Sequence, residues 1–243
     1  MLKRFFDLLV GFFGLLLFSP LLLIFLFLIW LQDFRSPFYI ASRVGKDGKI
    51  FPMVKLRTMV VRADKSGVDS TAADDKRITF VGRIIRRYKI DELTQLWNVA
   101  LGQMSLVGPR PQVERDVAIY TSEERHLLDV RPGITDFSSI VFADEGAILA
   151  GSVDPDLVYN QLIRPWKSRL GLLYTYQRTF WMDIKLIVAT ILAVLDREKA
   201  LQMVHKMLIY IEADNELVMV CLRSNELTPT PPPGAGEIVQ SRE

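Results

Sequence analysis

Cysteine is almost absent from this chain. Cys221 stands alone among 243 residues. That excludes an intrachain disulfide and fits a reducing compartment. Histidine is nearly as scarce. His126 and His205, with one thiol, are too few to build a His/Cys zinc site. Any metal would be held by carboxylates, a donor set that favours Mg²⁺. No sign of charge dominates: 30 Lys+Arg stand against 28 Asp+Glu, for a net charge of +2. The balance gives no pointer to nucleic acid. There is no Walker-type phosphate loop, no G-x-G-x-x-G and no internal repeat. His126 lies in a charged stretch and His205 among apolar and basic residues, which argues against Ser/His/Asp catalysis.

What the chain has in excess is hydrophobic sequence at its front. Leu8 to Leu31 carries no charge and, at about 24 residues, is long enough to span a bilayer. It is too long for the core of a secretory signal, and Trp30-Leu31-Gln32-Asp33 is a poor cleavage site. Ser19-Pro20 sits at its middle, where proline removes a backbone donor and favours a kink. Both flanks are basic: Lys3 and Arg4 before, then Arg35, Arg43, Lys46 and Lys49 after. The positive-inside rule wants both on the cytoplasmic side. A helix broken at Ser19-Pro20, entering and leaving one leaflet, satisfies that. Each half would be about 12 residues, or about 18 Å. A kinked single span is the alternative.

The rest reads as alternating short elements. Phe38–Met59 has the pattern of two strands around a Gly-Lys-Asp-Gly turn. Val61–Arg77 is a polar loop. Ile78–Gly102 carries helical periodicity in two pieces, Met104–Gln112 an irregular turn, and Val113–Val130 a charged amphipathic helix. A helical pattern runs from Pro155 to about Tyr176. Phe180–Lys199 comes next; its uncharged core is too short to span a membrane, so it is a buried helix or an interfacial one. The end, rich in Pro and Gly, reads as a disordered tail.

Asp91 and Glu92 open the helical stretch DELTQLWNVALG. On an α-helix Leu93, Leu96, Trp97 and Ala100 share one face, with Asp91 nearly opposite. Acids at a helix start are ordinary capping and dipole partners. Context adds a second reading. Arg83, Arg86 and Arg87 lie just upstream. Lys55 and Arg57 are two apart, so they share a strand face. Arg110, in VGPRP, and Arg131, in RPGIT, sit in stiff turns, where anion binding costs little entropy. Taken singly these are solvated, carboxylate-paired or lipid-facing cations. Together with a membrane segment and a carboxylate pair they suit a diphosphate. The pair would hold Mg²⁺, or one carboxylate would attack phosphorus.

The pieces KRFFD, KLRTM, IIRRYKIDELTQLWNV, MSLVGPRP and RPGIT, in this order around an apolar Ser-Pro segment, resemble the bacterial sugar transferases. These are monotopic phosphoglycosyl transferases, and the likeness runs from Lys3 to about Leu195. The resemblance implies an α+β fold, mostly helical. It would have a re-entrant membrane helix over 1–35, a cytoplasmic catalytic domain over 36–227 with a small β-hairpin and interfacial amphipathic helices, and a tail over 228–243. It implies transfer of a sugar 1-phosphate from a UDP-sugar to polyprenyl (undecaprenyl) phosphate, with UMP leaving. Asp91 would be the nucleophile, Glu92 its supporting acid, and both would meet Mg²⁺. Lys55, Arg57, Arg87, Arg110 and Arg131 match the substrate-binding positions. The setting would be the cytoplasmic face of the bacterial inner membrane; a homo-oligomer is left open.

The chain departs from the family pattern at Thr94, where proline is usual, at Gln103, where an acid is usual, and at Asp136, where many members have glycine. Two alternatives stand beside the transferase: a membrane-associated glycosyltransferase releasing UDP, and a non-catalytic anchored relative.

Overall fold

The computed structural model describes residues 1–63 and 71–241; residues 64–70 of the expected polar loop lie outside them. The first element, α1 (Leu2–Asp33), is a single helix of 32 residues, about 48 Å long. Pro20 lies inside it and cannot donate to the Leu16 carbonyl. The Ser19 hydroxyl takes that carbonyl instead, at 2.7 Å. Helical backbone runs on both sides of Ser19-Pro20, and the one backbone hydrogen bond lost there marks where a bend between two halves would fall.

A stripe including Asp7, Gly11, Leu22 and Ile29 is buried. Phe12, Leu17, Leu23 and Phe27 are each more than half exposed, and the helix is apolar and long enough to cross a membrane. An uncovered apolar face of this extent marks a membrane contact. The stripe is docked along its whole length. At the start, Lys3 pairs with Asp183 at 2.7 Å and donates to the Val107 carbonyl. Asp7 accepts from the Ser105 hydroxyl and the Leu106 N–H. Farther on, Leu22 and Ile29 pack with Leu56, Ile85 and Ile90. At the end, Asp33 takes both terminal nitrogens of Arg57, at 2.6 and 2.7 Å.

The expected hairpin is present. β1 (Phe38–Val44) pairs antiparallel with β2 (Ile50–Leu56), in register from Phe38 opposite Leu56 to Val44 opposite Ile50. The chain continues through α2 (Phe80–Arg87), a 3-10 turn (Ile90–Gln95) and α3 (Leu96–Ala100). The stretch read as an irregular turn contains β3 (Ser105–Val107), which pairs in parallel with β4 (Gly133–Thr135). The two chain segments approach closely after β3: a Cβ on Gly133 would meet the Gly108 nitrogen at 2.1 Å, so only glycine fits. Between them lie α4 (Glu114–Ala118) and a 3-10 turn (Glu124–Asp129), in place of one long amphipathic helix.

The remaining helices are α5 (Phe137–Val141), α6 (Glu145–Leu149), α7 (Pro155–Val158), α8 (Arg164–Gln177), α9 (Phe180–Leu195), α10 (Arg197–Tyr210) and α11 (Asn215–Val220). Side-chain caps start several of them: Asp136 accepts from Ser139 N–H, Thr179 from Met182 and Asp196 from Lys199. They close the core around Phe51, Met53, Val99, Phe137, Leu170, Leu186 and Leu208. α9 buries Met182, Asp183, Leu186 and Ala189 and exposes Trp181, Val188, Ile191 and Leu195, so it is amphipathic rather than buried all round.

The expected disordered tail is instead laid against the domain. Pro165 has no N–H for the Gln161 carbonyl, and Thr230 N–H takes that carbonyl at 3.0 Å. Thr121 donates to the Pro233 carbonyl and Arg169 to that of Pro231. Composition points to an unfolded segment because its anchors are backbone groups, which leave no apolar pattern.

Candidate active site

Lys89, with φ of 53°, ends α2 and sends the chain into the 3-10 turn. Such a turn has three residues per revolution. Ile90, Thr94 and Gln95 are buried beneath it, while Asp91 and Glu92 line a cleft of about 1080 Å³. The tighter turn also rotates α3 about its axis. The α-helical projection put Trp97 on the buried face; it is 53% exposed, and α3 buries Leu96, Asn98 and Val99.

Polar side chains fix this segment to β2. The Thr94 hydroxyl lies 3.0 Å from both the Val54 and Asp91 carbonyls. Asn98 accepts from Val54 N–H and donates to the Pro52 carbonyl and to Gln103 Oε1. Thr94 thus supplies a tether that proline cannot, and Gln103 keeps the oxygen acceptor that an acid would present. Asp136 caps α5. These three departures have structural roles and leave the carboxylate pair untouched.

Around the pair, Lys55 Nζ stands 3.8 Å from Asp91 Oδ2 and 4.0 Å from Glu92 Oε1. Arg110 donates to Glu92 Oε1 at 2.8 Å. β2 supplies Lys55, and the turn after β3 supplies Arg110. Burial pushes the Asp91 carboxyl above its ordinary value. Glu92 beside it adds to this, and Lys55, Arg86 and Arg110 oppose it. Burial acts on Glu92 too, but Arg110, Lys55 and Lys89 overcome it and hold that carboxyl at about 2. Burial, with Arg110 nearby, lowers Lys55 to about 8. The site therefore pairs one firmly ionised, cation-bound acid with a neighbour whose charge is less stabilised. That division suits a structural or metal-holding carboxylate beside a reactive one.

Of the other cations expected here, Arg87 lines the cleft from α2 and Arg57 from the end of β2. Arg57 is already engaged by Asp33, so its first role is to hold the end of α1. Arg131 does not line the cleft: its Nε donates to the Gly102 carbonyl. Ser19 and Pro20 lie in α1 and have no part in the cleft. Sequence reasoning named Arg86 only within the upstream cluster and not among the substrate-binding positions; its Nε donates to Thr58 Oγ1 and its charge acts on Asp91. Its place in the Arg83/Arg86/Arg87 cluster was the available signal. Also missed was the Glu145–Lys167 ion pair on the cleft wall, joined across about 20 residues with no motif to mark it.

The site is thus a cleft holding a carboxylate pair among lysine and arginine, in a chain whose first helix is apolar and long enough to cross a membrane. Residues 1–197 match the family described as bacterial sugar transferase, and the chain belongs to that family. It is similar to exopolysaccharide production protein ExoY of Rhizobium meliloti (strain 1021), 39% identical over 150 residues that cover 56% of this chain and 66% of that protein. It is similar to the UDP-N-acetylgalactosamine-undecaprenyl-phosphate N-acetylgalactosaminephosphotransferase of Aeromonas hydrophila, 32% identical over 201 residues, 80% of this chain and 44% of that one. The undecaprenyl-phosphate galactose phosphotransferase of Salmonella typhimurium (strain LT2) is 33% identical over 214 residues, 82% of this chain and 41% of its own length. The chain spans two thirds or less of the length of these relatives.

Proposed function

We propose that this chain transfers a sugar 1-phosphate from a UDP-sugar to polyprenyl phosphate, releasing UMP, as the first membrane step of glycan assembly. The observation that carries the reading is the Asp91–Glu92 pair, set among Lys55 and Arg110 in a cleft beside α1. The names of the Aeromonas and Salmonella relatives supply both substrate classes, an undecaprenyl phosphate and a galactose-type sugar.

Asp91 attacks the β-phosphorus of the donor through a carboxylate oxygen. The bond to the bridging oxygen breaks, that oxygen keeps the electron pair, and UMP leaves. An oxygen of the polyprenyl phosphate then attacks the aspartyl-phosphosugar, and Asp91 is released as carboxylate. No proton need be transferred at phosphorus in either step. Attack of an anion on an anionic diphosphate needs charge neutralisation, which Lys55, Arg110, Arg86 and Arg87 supply. The Glu92–Arg110 pair holds the guanidinium in place.

Mg²⁺ fits these residues as a shared ion. Among the described residues no cluster of three or more His, Cys, Asp or Glu exists. Mg²⁺ is commonly held by one or two carboxylates plus substrate phosphates and water; here Asp91 and Glu92 would hold it. Bound there it would neutralise charge on the diphosphate.

We read α1 as re-entrant, at the cytoplasmic face of the inner membrane. Supporting this, its two ends are ion-paired to the same domain, through Lys3–Asp183 and Arg57–Asp33. A straight span would carry them to opposite sides.

The test is the nucleotide produced by detergent-solubilised protein with Mg²⁺, undecaprenyl phosphate and a UDP-sugar panel led by UDP-galactose and UDP-N-acetylgalactosamine. Carrier-dependent UMP is expected. UDP would mean that the sugar alone moved, the glycosyltransferase alternative.

A further inference from the structure

The C-terminal end of α3 gathers two arginines outside the cleft. Arg4, in the first turn of α1, donates to the Val99 and Ala100 carbonyls at 2.7 and 3.2 Å. Arg131 donates through Nε to the Gly102 carbonyl at 2.9 Å. Three carbonyls at a helix C-terminus attract cations, which accounts for Arg4, whose two terminal nitrogens are both used. It does not account for the exposed end of Arg131. Neither of its terminal nitrogens has a protein acceptor among the described residues. The two guanidiniums are close enough to act on each other electrostatically, and Asp7 offsets part of the charge on Arg4, so it is the exposed end of Arg131 that is open to an anion from solvent.

The surroundings say where that anion sits. Trp97 and Leu101, at the two ends of this short helix, are 53% and 56% exposed. α3 packs directly on α1: a Cβ on Gly11 would lie 3.4 Å from the Leu96 carbonyl and Val99 Cγ1. Trp97 and Leu101, four residues apart, thus stand exposed on a helix whose other side is seated on α1 and whose end holds the two arginines. Exposed indole and leucine side chains and cations on one short helix packed against a long apolar helix are the residue types that meet lipid headgroups.

We infer that Arg131, supported by Arg4, forms a binding site for the phosphate of an anionic membrane phospholipid, at the foot of the helix that carries Asp91 and Glu92 on its leading turn. Arg131 offers its two free nitrogens as a fork to phosphate oxygens, while Trp97 and Leu101 meet the upper acyl chain. The site is separate from the cleft and does not depend on which group the cleft transfers.

The test titrates full-length protein in neutral detergent with short-chain phosphatidylglycerol, phosphatidylcholine or farnesyl phosphate, reading retained lipid by native mass spectrometry. Wild type is expected to retain phosphatidylglycerol over phosphatidylcholine. Arg131→Gln should weaken phosphatidylglycerol about fivefold and leave phosphatidylcholine unchanged; Arg131→Lys should recover part of the loss. Lys55→Met, in the cleft, should leave phosphatidylglycerol binding intact. Equal retention by wild type and Arg131→Gln overturns the proposal, as does loss in Lys55→Met. A loss in Arg131→Gln confined to farnesyl phosphate also overturns it, because the ligand would then be a carrier phosphate.

Discussion

Arg110 and Arg131 occupy nearly the same sequence setting. Each sits beside proline in a glycine-containing turn, and the turns touch: a Cβ on Gly108 would lie 2.3 Å from the Arg131 carbonyl. Yet Arg110 enters the cleft and binds Glu92, while Arg131 turns to the end of α3. Proline stiffens a backbone but does not choose where a side chain goes. The partners differ instead: Glu92 holds Arg110 and the Gly102 carbonyl holds Arg131. One stiff arginine faces the carboxylates and the other faces the end of α3.

The largest effect should come from the centre of the cleft. Asp91→Asn removes the nucleophile and should lower carrier-dependent UMP release by at least about a thousandfold. Arg110→Met should cost about a hundredfold in kcat/KM, near 2.7 kcal/mol, because it also strands the buried Glu92. Arg131→Gln, in the same assay, should lose no more than a few-fold. Equal losses in Arg110 and Arg131 variants would erase the distinction between them. Ile85→Ala, at the buried contact with Leu22 and Ile29, should cost about 2–5 kcal/mol, read as earlier thermal unfolding in detergent.

The pH profile sharpens the comparison further. Asp91 must be ionised to attack and its carboxyl is raised, so kcat/KM should climb with pH through a range above the ordinary aspartate value. Lys55 is lowered to about 8, so its charge, and the rate, should fall as pH rises through that value. Lys55→Arg keeps its charge and should remove the alkaline fall. The smallest effect belongs to Asp33→Asn, which frees Arg57 from the end of α1. This partly exposed pair should be worth at most about 1 kcal/mol, measured by the same thermal unfolding.

Elements with a long period or a local turn signal were legible in the sequence. The hairpin comes from Gly-Lys-Asp-Gly between two strand patterns, and α1 from an uncharged run. Asp91, Glu92, Lys55 and Arg110 were legible because context multiplied weak signals. What was hidden depends on distant partners. β3 and β4 are three residues each, too short to alternate visibly. The 3-10 turn changed the period just before Trp97 and moved it to the surface. The Ser19 hydroxyl satisfies the Leu16 carbonyl that Pro20 leaves free. The C-terminal segment is held through backbone groups, among them the Thr230 N–H on the Gln161 carbonyl that Pro165 leaves free, which no composition records. Arg131 is held by the Gly102 carbonyl, a partner that the sequence does not display.

The most direct test of the central claim is the mass of the intact protein after incubation with Mg²⁺ and its UDP-sugar, with no carrier lipid present. The account predicts added mass equal to one sugar phosphate, located on Asp91, lost on addition of undecaprenyl phosphate and absent from Asp91→Asn. Efficient carrier-dependent transfer with no adduct at any time, or an adduct that persists in Asp91→Asn, would contradict it.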